Sequence, residues 1–423
     1  MRGINPSQKK SRIKNPMADR HFHLHLPSEV ITEILCRLPV KSLLRLRSTC
    51  KHWRSLIDST HFIFLHLNKS PNTTLILRRH SHLYTLDSHA LHQPVELIHP
   101  LMCYSNSIKL LGSSNGLLCI SNIADDIAIW NPSIRKHRIL PSDRLHRPQS
   151  SLLAARVFGF GFDSSSNDYK LLNISYFVDL HNRTFDSRLQ LYTMRSDTWT
   201  PLPSMPYALC CARTMGVFVS GALHWVVTRK LEPDQPDLVV AFDLRAEKFR
   251  EVPLPVSVKG SLEMDVAKLG ECLCVVENNG NSRFDVWVMK EYGLQESWCK
   301  VFTVTQGHGM RAMECVKPLC YSGDGDRVLF EEDRGKLCWY DLKSEQASYV
   351  KTPGGIPNTS VGSMLCVGSL VPPTLLTQCG FDFEREGQRP KDRNTSKKRD
   401  DFLSRGFKLT LMGYSIVNVD VWW

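Results

Sequence analysis

The sequence predicts an α+β multidomain protein: a small three-helix unit near the amino-terminal end, then an all-β propeller of about six blades. Three observations carry this. Apolar residues recur at helical spacing only between about residues 26 and 67. After Ser70, short apolar or β-branched runs alternate with Gly, Pro, Asn, Asp and Ser, which is strand-and-turn grammar. Those strand pairs repeat at a period near 50 residues, the period of kelch-type propeller blades.

Taken in order, residues 1 to 22 are polar and basic, with Lys9, Lys10, Arg12 and Lys14, and read as disordered. Leu26-Pro27-Ser28-Glu29 is a helix start that puts Pro27 at the first helical position. Val30, Ile31, Ile34, Leu35 and Leu38 then form one apolar face. Pro39 ends this helix, because the residue before a proline is pushed out of the α region. A second helix is predicted over Val40 to Arg47 and a third over Cys50 to Ile57. The helical unit occupies residues 23–67. A unit this short buries little surface alone and calls for a partner or a neighbouring domain.

The repeats begin with three clear copies, Ile129 to Pro141, Leu191 to Pro203 and Ala241 to Pro253. Each reads as a strand, a polar turn, a ring-bearing residue, then a strand that ends near Pro. Weaker copies run from Val286 to Phe302 and from Leu337 to Val350. The ring-bearing residues His137, Trp199, Phe249, Trp298 and Tyr349 are spaced 62, 50, 49 and 51 residues apart by subtraction of their numbers. An apolar strand is predicted before each copy: Leu117 to Ile120, Leu171 to Ile174, Ala222 to Val227, Cys272 to Val276 and Val328 to Phe330. A sixth unit begins at Leu83 to Asp87. About 300 residues at one four-stranded blade per 50 give about six blades over residues 70–372. Two packed β-sandwiches with similar hairpins remain the alternative, but they do not require a fixed period. Residues 373–423 read as a charged tail, apolar again from Gly406 to Trp423.

The net charge of +11 invites a nucleic-acid reading. Much of the excess lies in the two ends, and the helices lack base-reading Asn, Gln or Arg spacing, so no nucleic acid is expected. None of the 14 cysteines forms a C-x-x-C pair, which argues against structural zinc. No apolar run reaches the roughly 18 residues of a membrane span, and no secretory leader is visible. Cytoplasm or nucleus is the expected location. His21, His23 and His25 alternate in the basic segment and read as surface residues. Gly323-Asp-Gly-Asp326 reads as a hairpin turn, since the rest of a calcium loop is missing. Phe158-Gly-Phe-Gly-Phe lacks the following helix of a phosphate loop. No catalytic, cofactor or metal constellation is assignable, and no enzyme is expected. The insertions at 140–156 and 229–238 are the expected rim loops.

The run from Leu26 to Ile57, with its opening Leu-Pro, its Ile-Leu-Cys-Arg-Leu-Pro centre and its closing Cys-Lys-His-Trp-Arg-Ser-Leu-Ile, resembles the F-box of plant F-box proteins. Asn115-Gly-Leu-Leu-Cys, Ile129-Trp-Asn-Pro-Ser, Phe158-Gly-Phe-Gly-Phe-Asp and Gly221-Ala-Leu-His-Trp resemble their F-box-associated, kelch-like domain. A finer similarity is to the CPR type, which is implicated in turnover of plant immune receptors. The resemblance implies the substrate-recognition subunit of an SCF-type E3 ubiquitin ligase. The F-box would dock a Skp-type adaptor, and through it cullin and a RING protein, while the propeller holds a target protein for ubiquitination and degradation. Carried over by position, Leu26, Pro27, Ile31, Leu35, Leu38, Pro39, Leu43 and Leu44 are the adaptor-binding candidates. Val30, Ile34, Trp53 and Leu56 are expected in the unit's own core. A nucleic-acid binder or a free-standing kelch-like scaffold stands as the alternative.

Overall fold

A computed structural model describes residues 27–69, 73–87, 90–102, 107–142, 152–179, 184–209, 215–229, 237–258, 263–280, 283–305, 313–333, 335–350 and 362–374. The two basic ends, Leu26, His308 and most of the two rim-loop insertions lie outside these residues.

Four helices come first: α1 (Ser28–Leu35), α2 (Val40–Leu46), α3 (Lys51–Ile57) and α4 (Thr60–Lys69). The expected unit had three. The fourth carries Phe62, Ile63 and His66, all buried. Their spacing of one and then three residues is the helical signal that marks it. Pro27 sits one position earlier than expected, as the cap of α1 with ψ 145°. Pro39 caps α2 in the same way, so it starts the second helix as well as stopping the first.

The strands then build six sheets in a ring. Blade one joins β1 (Thr73–Arg79), β2 (His82–Asp87) and β3 (Ala90–Leu97) to the last strand of the chain, β25 (Ser363–Val367). Blade two is β4 (Lys109–Ser114), β5 (Leu117–Ser121), β6 (Ile127–Asn131) and β7 (Lys136–Ile139). Blade three is β8 (Leu152–Asp163), β9 (Asp168–Asp179), β10 (Thr184–Thr193) and β11 (Thr198–Leu202). In blade four the inner position is divided between β12 (Ala208–Leu209) and β13 (Val217–Val219), followed by β14 (Ala222–Thr228), β15 (Leu238–Asp243) and β16 (Lys248–Glu251). Blade five is β17 (Met264–Leu269), β18 (Cys272–Asn278), β19 (Arg283–Met289) and β20 (Trp298–Thr305). Blade six is β21 (Val316–Tyr321), β22 (Arg327–Glu332), β23 (Lys336–Asp341) and β24 (Gln346–Tyr349). Every strand pair within a blade is antiparallel. Each of the five apolar strands expected from the sequence falls in the second strand of its blade.

The repeat grammar has a physical basis. In the hairpins β6–β7, β15–β16 and β23–β24, an Asn or Asp at the end of the first strand accepts the backbone N–H two residues on. These are Asn131 from Ser133 at 2.8 Å, Asp243 from Arg245 at 2.8 Å and Asp341 from Lys343 at 3.0 Å. The fourth turn residue is then left-handed: Arg135, Glu247 and Glu345 have φ of 54–56°. The ring-bearing residue packs across the hairpin, with Trp199 opposite Tyr192 and Phe249 opposite Phe242. Two of these rings also tie blades together. Trp199 donates its indole N–H to the Pro141 carbonyl at 2.9 Å, and Trp298 donates to Pro253 at 2.8 Å. In both cases the carbonyl just past the outer strand of one blade meets an indole near the start of the outer strand of the next. In blade six the expected ring is displaced: Ala347 pairs with Tyr340, and Tyr349 lies two residues further out, opposite Cys338.

The core lies between blades. Val157, Leu172, Leu191, Leu223, Trp225 and Phe242 form one cluster across blades three and four. Here the Phe158-Gly-Phe-Gly-Phe phrase finds its role. A Cβ on Gly159 would come within 2.8 Å of the Trp225 ring. Without it, the inner strands approach closely enough for Gly216 N–H to reach the Phe158 carbonyl at 2.7 Å, in a parallel bridge. The glycines serve close packing of backbone and indole.

The closing strand is fastened at both ends. At its start, Glu331 accepts the N–H of Ser363 at 3.1 Å and its hydroxyl, while the Lys317 ammonium donates to the Ser363 carbonyl at 2.9 Å. Beyond its end, Asn131 is fully buried and its Nδ2 donates to the carbonyls of Ser369 (3.0 Å) and Val371 (2.8 Å). Gly116, with φ +80°, leaves the space that Ser369 fills: a Cβ there would lie 2.2 Å from its Oγ. The Asn115-Gly and Trp-Asn-Pro-Ser phrases thus hold the ring shut.

Candidate interaction sites

The helical unit is built around Leu35, Cys36, Val40, Leu43, Ile57, Phe62 and Ile63, all buried. His66 is buried with them, and its Nε2–H donates to the Leu38 carbonyl at 2.9 Å, tying α4 to the link between α1 and α2. Burial lowers its pKa, so the ring is held neutral. Arg47 grips Asp58 through two hydrogen bonds of 2.5 and 2.8 Å, joining the carboxyl end of α2 to that of α3. Cys50 caps α3, its sulfur accepting the Trp53 N–H at 3.4 Å.

The adaptor-binding candidates are not all on the surface. Leu35 and Leu43 are 2 % and 0 % exposed and belong to the unit's own core. Ile31, Leu38 and Leu44 are half-buried, and Pro27 and Pro39 are exposed. The expectation that Val30 and Ile34 are core residues is corrected: they are 41 % and 50 % exposed. One turn apart, they stand on the same face of α1. Trp53 and Leu56 are half-buried. The periodic stripe in the sequence is wide enough for two sides of a helix, and only the packing of its neighbours selects the buried one.

The propeller has two unlike faces. Its inner strands run in one direction, as the parallel bridge between Gly159 and Gly216 shows. All connections from first to second and from third to fourth strands therefore open on one face. They include the turns at 115–116, 132–135, 164–167, 194–197, 220–221, 244–247, 270–271 and 342–345. Gly323-Asp-Gly-Asp326 belongs here too, as the turn between β21 and β22 that the sequence predicts. Strand β1, which follows α4, starts at this face. The connections between blades, and from second to third strands, open on the other. Their described parts include 98–102, 107–108, 122–126, 140–142 and 252–258. Among the described residues, Ile98 (82 % exposed), Met102, Ile123 and Val256 (78 % exposed) sit in connections of this second face. Only Leu294 does so on the first.

Buried polar residues of the family-like phrases are structural. His224 bridges blades four and five: its Nδ1–H donates to the Val217 carbonyl at 3.0 Å, and its Nε2 accepts from the Tyr292 hydroxyl at 2.7 Å. Burial pushes its pKa down to about 4. The unfolded chain, near 6.5, takes up the proton first. The stability this histidine confers is therefore complete above about pH 6.5 and is lost as pH falls toward 4. By pH 4.5 the loss is about 2–3 kcal/mol. His224→Gln is expected to flatten that part of the curve, as read from urea unfolding at pH 7 and 4.5. Lys170, also buried, bridges Asp163 (3.2 Å) and Glu247 (2.9 Å) and donates to the Leu244 carbonyl at 2.6 Å. Cys119, Cys274 and Cys338 are buried, and burial raises each thiol's pKa, so they are held as protonated hydrophobes.

Comparison with known proteins agrees with this architecture. The F-box domain model matches residues 23–65, and the F-box associated beta propeller domain model matches residues 74–372. The chain is 33 % identical over 411 residues to F-box protein CPR1 of Arabidopsis thaliana, covering 91 % of this chain and 99 % of that one. It is 29 % identical to F-box protein At4g22390 of the same plant, over the same shares of each chain. It is also 29 % identical to the Arabidopsis F-box/kelch-repeat protein At3g23880, covering 77 % of this chain and 90 % of that one. The chain belongs to the F-box proteins that carry an F-box-associated β-propeller.

Proposed function

We propose that this protein is the substrate receptor of an SCF-type E3 ubiquitin ligase, holding a target protein on the propeller face that carries the connections between blades. The observation that carries the reading is the joining, in one chain, of a helical F-box unit with an exposed apolar pair, Val30 and Ile34, to a closed propeller. A helix-borne aliphatic pair suits an apolar groove on a Skp-type adaptor. The adaptor would link the chain to cullin and a RING protein. The propeller supplies a fixed frame for recognition by its connections. Chemistry then belongs to the partners, and this chain raises the effective concentration of target lysines near the loaded conjugating enzyme. The chain itself is read as non-catalytic. Turnover of plant immune receptors is the finer reading, and it rests on the likeness to the CPR type. Cytoplasm or nucleus is the place of action under this reading.

The test is a protein-turnover chase in plant cells. Cells expressing the full chain are compared with cells expressing a Val30→Asp/Ile34→Asp variant. A set of proteins is expected to shorten in half-life at least twofold with the first and not with the second. If no protein responds to the first alone, the receptor reading fails.

A further inference from the structure

In blades two to five, the outer strand sets a ring opposite the third strand of its own blade. His137 faces Trp130, Trp199 faces Tyr192, Phe249 faces Phe242 and Trp298 faces Met289. In blade six that position is Ala347, facing Tyr340. Tyr349 does not replace the ring, since its hydroxyl donates to Glu332 at 3.3 Å. The carbonyl that such a ring meets is nevertheless present. By subtraction of residue numbers, Trp199 reaches the residue four after His137, and Trp298 the residue four after Phe249. The matching residue in blade five is Thr303, five after Trp298, because the bulge between Val286 and Trp287 adds Val301. The Tyr340 hydroxyl donates to the Thr303 carbonyl at 2.9 Å. In blade three the corresponding hydroxyl, that of Tyr192, goes to Asp197 at 2.7 Å and leaves Pro141 to the indole. Tyr340 and Thr303, the counterparts of the two groups that hold Trp199, line a cavity of about 240 Å³. Phe302 lines it too, stacked on Tyr340 with centroids 4.9 Å apart, and both rings are buried. Leu342 is half-buried beside them, while Lys300 and Glu345 are exposed.

We infer that this cavity between blades five and six is a binding slot for an aromatic ring with an N–H donor, of the indole class. The ligand takes the place of the ring that blade six lacks. Phe302, Tyr340 and Leu342 offer the apolar and aromatic contact that a ring needs. The Thr303 carbonyl has a second lone pair for the N–H beside the one Tyr340 uses. The charged pair Lys300 and Glu345 leaves the solvent side open to polar substituents. The slot lies wholly in the propeller and does not depend on the receptor reading above.

The experiment titrates the purified full chain with indole and follows binding by saturation-transfer NMR. Indole is expected to saturate with a Kd of about 1 mM or tighter. Benzothiophene, which keeps the shape and lacks the N–H, should bind about fivefold more weakly or worse. Ala347→Trp restores the ring, so it should weaken indole binding about tenfold or more while holding or raising the melting temperature. Tyr340→Phe frees the Thr303 carbonyl and should tighten indole binding about threefold, a gain that misfolding does not produce. Absence of saturable indole binding by the full chain would overturn the inference. Unchanged binding in a folded Ala347→Trp chain would do the same. If that variant does not fold, unchanged or weaker binding in Tyr340→Phe is the overturning result. Benzothiophene bound as tightly as indole would also overturn it, since an apolar crevice makes no use of the donor. N-acetyltryptophan amide separates the sources of the ring. Binding as tight as that of indole or tighter assigns the slot to a tryptophan side chain of a bound polypeptide, and weaker binding assigns it to a free small molecule; both results uphold the slot.

Discussion

Replacing Asn131 by Leu is expected to lower the stability of the propeller by about 2–4 kcal/mol, although the side chains are close in size. The substitution leaves the carbonyls of Ser369 and Val371 without the Nδ2 donor they share, in a site that water does not reach. A buried polar group left unsatisfied costs about 1–3 kcal/mol. At about 2 °C per kcal/mol for a domain of this size, the melting temperature should fall by about 4–8 °C. The loss should be local in its first effect. Hydrogen exchange should show β25, its partner β1 and the β6–β7 turn losing protection before the hairpins of blades three to five, because Asn131 holds the segment that follows the closing strand and caps its own turn. Asn122→Ala is the matched control. Asn122 is also buried, but among the described residues its side chain bonds only within its own turn, to Asp126. Its loss should stay near 1 kcal/mol and spare β25. Equal exchange behaviour of the two variants would mean that Asn131 is not the fastening of the ring.

Val30→Asp/Ile34→Asp is expected to weaken adaptor binding at least 100-fold while leaving the melting temperature within about 2 °C. Both side chains are exposed in the free chain, so charging them costs the fold little, whereas charging an apolar anchor inside a formed interface costs about 3 kcal/mol or more. Leu43→Asp is the contrast. That side chain is fully buried, and its replacement should unfold the helical unit and abolish binding for that reason. Leu35 behaves as Leu43 does, so a substitution there reports on folding and binding together. Circular dichroism of the full chain, followed by binding measured calorimetrically, separates the two cases. Retained affinity in the Val30/Ile34 variant would remove this face of α1 from the interface.

The sequence by itself determined the order and kind of the elements. The apolar spacing in residues 26–57 marks three of the four helices, because a helix that buries one side must repeat its apolar residues every three to four positions. The near-50-residue period marks the blades, because each blade repeats one four-stranded set, and three of them share the same turn requirement at Asn131, Asp243 and Asp341. What the sequence left open is what depends on partners distant along the chain. Val30 and Leu35 look alike in one helical stripe, yet the packing of the helical unit buries Leu35 and leaves Val30 at the surface. Trp199 and Trp298 are legible as repeat positions, but their bonds to Pro141 and Pro253 join residues 58 and 45 apart. Asn131 reads as a turn former, and its hold on residues 238 and 240 positions later appears only when the ring closes. Local periodicity encodes elements because each residue's immediate neighbours enforce it. Closure, burial side and surface charge pairing are set by contacts that no local pattern records.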